Sequence, residues 1–195
     1  MGFTPEQFAQ MRSRLSRPKK EPAAVAARPA RRDEIIIGID PSLRGTGYGV
    51  IHAGPAQPRA LAHGTIKCPA SWERSRCLTH IAQTVRTLLA EYRPSICAIE
   101  GLFYAQNLQT ALIMGEARGA ALAALGEGGL EIYEIAPRKV KQSVVGYGAA
   151  QKLAVAKMVQ RLLQLTALPE PDAADALALA LAYAQTSRLS SHKRI

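Results

Sequence analysis

Residues 35–51 read IIIGIDPSLRGTGYGVI, and their pattern decides the fold. Ile35 to Asp40 is almost wholly apolar and β-branched, the composition of a strand covered on both faces. Gly45-Thr46-Gly47 is a turn signal, and Tyr48 to His52 reads as a second strand. The first run ends on Asp40. A carboxylate at the end of a buried strand is unfavourable unless something holds it there.

Working outward, Pro55 and Pro58 mark a loop, and 59–67 reads as a third strand. Leu78, Ile81, Val85, Leu88 and Leu89 recur at helical spacing, which predicts a helix over about 72–92, with Pro94 beyond its end. A fourth strand, 95–100, ends on Glu100 after Ile96-Cys97-Ala98-Ile99. An Ala- and Leu-rich helix over about 106–125 stops at Gly126, Gly128 and Gly129. A fifth strand covers 131–135. Pro137 opens a short helix that Gly146 and Gly148 break, 150–164 is another, and a last helix spans about 172–186. An antiparallel three-strand start followed by βαβ alternation gives an α/β fold, a mixed five-stranded sheet with helices on both faces. If strands one and four are parallel neighbours, Asp40 and Glu100 meet at the carboxyl edge, where such sheets bind ligands.

The chain has 195 residues, which suits one domain, and a net charge of +10 that points toward a polyanionic partner. The charge sits mostly in the tails. Residues 1–33 hold 8 Lys/Arg against 3 Asp/Glu, and 187–195 add a net +3, leaving +2 on 34–186. The expected organisation is a basic N-terminal extension over 1–33, a folded domain over 34–186 and a basic tail over 187–195. Within the extension, Thr4, Pro5 and Gln7 could cap a short helix over 4–16, and 17–33 reads as a Pro/Ala/Arg linker. Such tails bind nucleic acid weakly and without sequence preference, or simply keep the chain soluble. Cys68, Cys77 and Cys97 are odd in number and widely spaced, which argues against a disulfide framework or a zinc site. No apolar run reaches membrane-spanning length, and a cytoplasmic location is expected. The Arg-rich start also fits an organellar transit peptide.

Asp172 and Asp175 open the last helix three residues apart, on one face. With Asp40 and Glu100 they make four carboxylates able to converge on one edge. Grouped carboxylates repel unless cations neutralise them or one keeps a proton. Oxygen-only ligands suit Mg²⁺ or Mn²⁺, and two such ions can drive phosphodiester hydrolysis. Taken singly, each carboxylate has a plainer reading: a strand exit at Asp40-Pro41, an Arg partner for Glu100, an N-cap at Asp172. Arg138, Lys139, Lys141 and Lys152 could neutralise phosphate or form a solvated face. Phe103 and Tyr104, soon after Glu100, could stack on bases or belong to the core. Gly45-Thr46-Gly47-Tyr48-Gly49 is not GxGxxG, and a strand follows it, so a hairpin turn outweighs a phosphate cradle.

The stretches IIIGIDPSLRGTGYGVI, AIEGLFYAQN, MGEARGAALAA, APRKVKQSVVGYGAAQK and DAADALALALA together resemble the RuvC family of Holliday junction resolvases, over about 35–186. The resemblance implies an RNase H-like fold and a homodimer that nicks opposing strands of four-way junction DNA. It places the family's acidic tetrad on Asp40, Glu100, Asp172 and Asp175, its junction-contacting aromatic on Phe103, and its two functional lysines on Lys141 and Lys152. It also implies two Mg²⁺ per site with Mn²⁺ as a substitute, and a branch-migration motor complex of the RuvA and RuvB type as partner. Met114, Gly115, Ala117, Arg118, Gly119 and Ala121 would let two copies of the 106–125 helix approach closely, or that helix only covers the sheet. Competing functions are an RNase H-type nuclease on RNA–DNA hybrids, a catalytically silent junction binder, and an actin-like ATPase. The ATPase needs a second similar domain, for which 195 residues leave no room.

Overall fold

The computed structural model describes residues 33–54, 57–101, 108–186 and 193–195. The expected short helix over 4–16 and nearly all of the 17–33 linker lie outside these residues. The elements run β1 Glu34–Asp40, β2 Gly45–Ala53, β3 Arg59–Lys67, α1 Arg74–Tyr92, β4 Ile96–Glu100, α2 Leu108–Glu127, β5 Glu131–Ile135, α3 Pro137–Val145, α4 Lys152–Leu162, α5 Pro171–Thr186 and β6 Lys193–Arg194. One sheet carries the order β3-β2-β1-β4-β5-β6. β1 pairs antiparallel with β2 and parallel with β4, and β5 continues the parallel half. This is the mixed α/β sheet that the alternation of elements predicts, in the RNase H-like form that the family resemblance implies. It gains a sixth strand of two residues, in which Lys193 and Arg194 pair with Glu134 and Tyr133 at the β5 edge. Two residues carry no periodicity, so this strand has no sequence signature.

The sheet divides two cores. Ile37, Ile39, Val50, Cys97 and Ile99 pack toward α1 and α2. Ile36, Ile51, Ile96, Ala98 and Ile135 face α3, α4 and α5. β1 is buried on both sides, which explains why it reads as a continuous apolar run rather than an alternating one. α5 is apolar nearly all round, with Ala173, Ala174, Ala176, Leu177 and Ala178 through Ala182 buried. It is sandwiched between the sheet and the α3–α4 pair, the usual setting for such a helix. α3 starts with Pro137 in its first turn and stops at Gly146, whose φ of 85° is left-handed.

One expected turn is a strand. Gly45-Thr46-Gly47 lies inside β2, and the chain reverses over 41–44 instead. Thr46 explains the shift. Its buried hydroxyl donates to the Ser42 carbonyl at 2.6 Å and accepts from the Ser42 N–H at 3.1 Å, closing the reversal with a side chain. The glycine is needed for packing: a Cβ on Gly47 would run into the main chain of Asp172, and one on Gly38 into that of Ala176. These positions let α5 lie on the sheet at backbone distance.

Candidate active site

In the β1–β4 register Ile39 sits opposite Ile99, so the next residues, Asp40 and Glu100, end adjacent parallel strands side by side. Both are half-buried, and their carboxyls share a hydrogen bond in which Asp40 donates. Burial pushes the Asp40 carboxyl up to about 8; the charges of Glu100 and Asp175 and the shared hydrogen bond add to this, and Lys152 opposes it. Burial also raises Glu100. The bond from Asp40 and the charges of Lys152 and Lys141 pull it down, while Asp175 pushes it up. Of the two, Asp40 carries the donated proton, and Glu100 accepts it.

The α5 N-terminus brings the other two carboxylates to the same edge. Asp172 stands in its first turn, and its main chain lies on Gly47, the cross-strand partner of Asp40. A Cβ on Gly45 would come within 2.8 Å of the Asp172 carboxylate. Asp175 accepts a 2.7 Å bond from the Lys152 ammonium. Lys152 is the first residue of α4, and its proton affinity is raised chiefly by that bond, with Asp175, Asp40 and Glu100 all acting on it. Each of the four acidic residues thus touches or electrostatically senses this one edge. As they stand, no three His, Cys, Asp or Glu side chains among the described residues are grouped closely enough to hold a metal ion. The Lys152 ammonium on Asp175 offsets negative charge at this edge.

The basic residues are spread around the same edge. Lys141, in the middle of α3, is near enough for its charge to act on Glu100. Arg138 and Lys139 are exposed in the first turn of α3, and the Arg138 side chain lies against Gly148. Phe103 and Tyr104 lie outside the described residues. Two features escaped the sequence reading. Tyr147 stands 66% exposed on the loop between α3 and α4, five residues before Lys152. Arg118, expected among the small residues of a helix–helix face, points inward and is buried. An arginine inside an Ala/Gly-rich helix with few charges was its available signal.

The exposed face of α2 differs. Leu108 and Leu112 are 83% and 64% exposed, and Cβ atoms added at Gly115 or Gly119 would meet open space. None of the helices among the described residues is long and apolar enough to cross a membrane.

Comparison with known proteins finds relatives along most of the chain. The family described as Crossover junction endodeoxyribonuclease RuvC matches residues 36–183. A protein of that name from Akkermansia muciniphila is 47% identical over 148 residues, covering 76% of this chain and 89% of its own. One from Coxiella burnetii is 48% identical over 156 residues, covering 80% and 90%. The structure of Thermus thermophilus RuvC in complex with Holliday junction substrate superposes with a TM-score of 0.78 at 34% identity, covering 83% of this chain and 99% of that one. The chain belongs to the RuvC family of crossover junction endodeoxyribonucleases.

Proposed function

We propose that this chain resolves four-way DNA junctions by paired, metal-dependent hydrolysis of phosphodiesters, with Asp40, Glu100, Asp172 and Asp175 as the metal-holding residues. The observation that carries the reading is the Asp40–Glu100 pair: two carboxyls at the ends of neighbouring buried strands, one still protonated to about 8. A fold keeps so unfavourable an arrangement where function uses it. Four hard oxygen donors and no soft ligand fit Mg²⁺, with Mn²⁺ as a substitute. Bound there, two such ions would supply charge neutralisation and a nucleophilic water at neutral pH.

The chain's own groups account for the rest. Asp40 gives up its proton when the site fills, leaving both strand-end carboxylates as acceptors. Lys152 passes from Asp175 to the phosphate, and Lys141 stands on the Glu100 side, so two ammonium groups offset the charge that develops on the phosphoryl oxygens. Water attacks in line, the 3′ oxygen leaves, and the products are a 5′-phosphate and a 3′-hydroxyl. Phe103 and Tyr104 come three and four residues after Glu100 in the sequence. In this reading they stack on bases opened at the crossover, and the exposed Tyr147, Arg138 and Lys139 also contact the DNA. The open Leu108–Leu112–Gly115–Gly119 face of α2 suits a two-fold partner helix, and a homodimer would set two sites on opposing strands. A branch-migration motor complex of the RuvA and RuvB type is proposed as partner from the family resemblance.

The test is cleavage of a mobile four-way junction, a linear duplex and an RNA–DNA hybrid of matching sequence, with Mg²⁺, with Mn²⁺ and with chelator. Symmetric nicks with resealable ends, on the junction alone and only with metal, are expected. Preferential cutting of the hybrid would replace this reading with an RNase H-type nuclease.

A further inference from the structure

We propose that Arg118 is a positioning residue for this site: its buried guanidinium ties Glu134 to the main-chain carbonyl of Glu100, fixing the peptide that carries the Glu100 carboxylate at the end of β4. The inference rests on the reading of Glu100 as a metal-holding residue.

Arg118 is the one charged residue among the buried positions of the described chain. Its side chain is 7% exposed. It reaches from α2 under the last residues of β4, where its charge also acts on the buried Cys97 thiol. One guanidinium nitrogen donates to the Glu100 carbonyl, and another donates to Glu134 Oε2 at 2.7 Å. Glu134 stands on β5 opposite Ile99, one residue before Glu100. On the other side of the same peptide, the Gly101 N–H donates to the Ile135 carbonyl at 2.9 Å. Both polar groups of the Glu100–Gly101 peptide are therefore fixed where the ladder ends.

Packing does not require this arrangement. Replacing a buried ion pair with apolar or neutral groups of similar volume is often neutral or stabilising, because desolvation offsets the Coulomb gain. Apolar or neutral groups at both positions would satisfy packing as well. The planar fork of arginine does what those residues cannot: it holds a carboxylate and a carbonyl at once, in fixed directions. Groups that orient a metal ligand in this way typically change metal affinity or activity by about 10–100-fold when removed.

The test is the double variant R118M/E134Q in the full chain, which removes both charges together, so that no buried charge is left unpaired. Mn²⁺ binding is followed by the electron paramagnetic resonance of the free ion, and junction cleavage is measured at saturating junction. The expected result is a melting temperature near that of wild type, junction affinity in chelator within about twofold, a Mn²⁺ dissociation constant raised about tenfold and kcat lowered about 10–100-fold. Folded variant with Mn²⁺ binding and kcat within about twofold of wild type would overturn the proposal. Arg118→Lys keeps the charge without the fork and carries the same test if the double variant does not fold. A wild-type chain that binds no Mn²⁺ and cuts no junction removes the functional reading itself. A competent wild type with an indistinguishable variant removes only the role of Arg118.

Discussion

Asp40→Asn should make the metal-free protein more stable and the enzyme inactive. The ordinary carboxyl value is 3.8, and in the folded chain Asp40 is raised to about 8, mainly by burial and next by the Glu100 charge. Between these values the unfolded chain has lost a proton that the folded chain keeps. Stability therefore falls as pH rises from about 4 to about 8, then levels off. A tenfold difference in proton affinity is worth about 1.4 kcal/mol, so the full span bounds the effect at about 6 kcal/mol. Asp40 is only half-buried, shares its proton with Glu100 and lies near Lys152, so about 1–3 kcal/mol is the expected effect at pH 8. An asparagine amide donates to Glu100 as the protonated acid does, with nothing to ionise. In a chain of this size that gain raises Tm by roughly 3–10 °C. The assay is thermal unfolding of wild type and variant in chelator at pH 5 and pH 8. The gain should be small at pH 5 and clear at pH 8, and added Mg²⁺ should stabilise wild type far more than the variant. Equal melting temperatures at pH 8, or a gain independent of pH, would refute the shared-proton account of the pair.

Gly47→Ala should destabilise by about 2–3 kcal/mol, read by denaturant unfolding, because its Cβ meets the Asp172 main chain and no rotamer change relieves that contact. Lys152→Met should leave stability within about 1 kcal/mol, since the ammonium side of its pair with Asp175 is 74% exposed. The same variant should lower kcat by roughly 10²-fold or more in single-turnover junction cleavage. Phe103→Ala should reduce junction cleavage with an unchanged melt; wild-type turnover would assign that ring to packing.

Much of this architecture is legible in the sequence because it follows from burial. Ile35 to Asp40 reads as a two-sided strand since α5 covers one face and α1 with α2 the other. The edge carrying Asp40 and Glu100 follows from two apolar runs that each end on a carboxylate. Less legible are features set by tertiary contact. Gly45 and Gly47 read as a turn because local propensity does not register that α5 needs a surface without Cβ atoms. Arg118 reads as part of an outward face because its carboxylate partner, Glu134, is 16 residues away on another element. β6 is too short for any pattern.

The most direct test of the central claim is a set of four single variants, Asp40→Asn, Glu100→Gln, Asp172→Asn and Asp175→Asn, each assayed for junction affinity in chelator and for cleavage with Mg²⁺. All four should bind the junction within a few-fold of wild type and cut it about 10³-fold more slowly or worse. Near-wild-type cutting by any one of them would contradict the account that these four carboxylates form a single metal-holding centre.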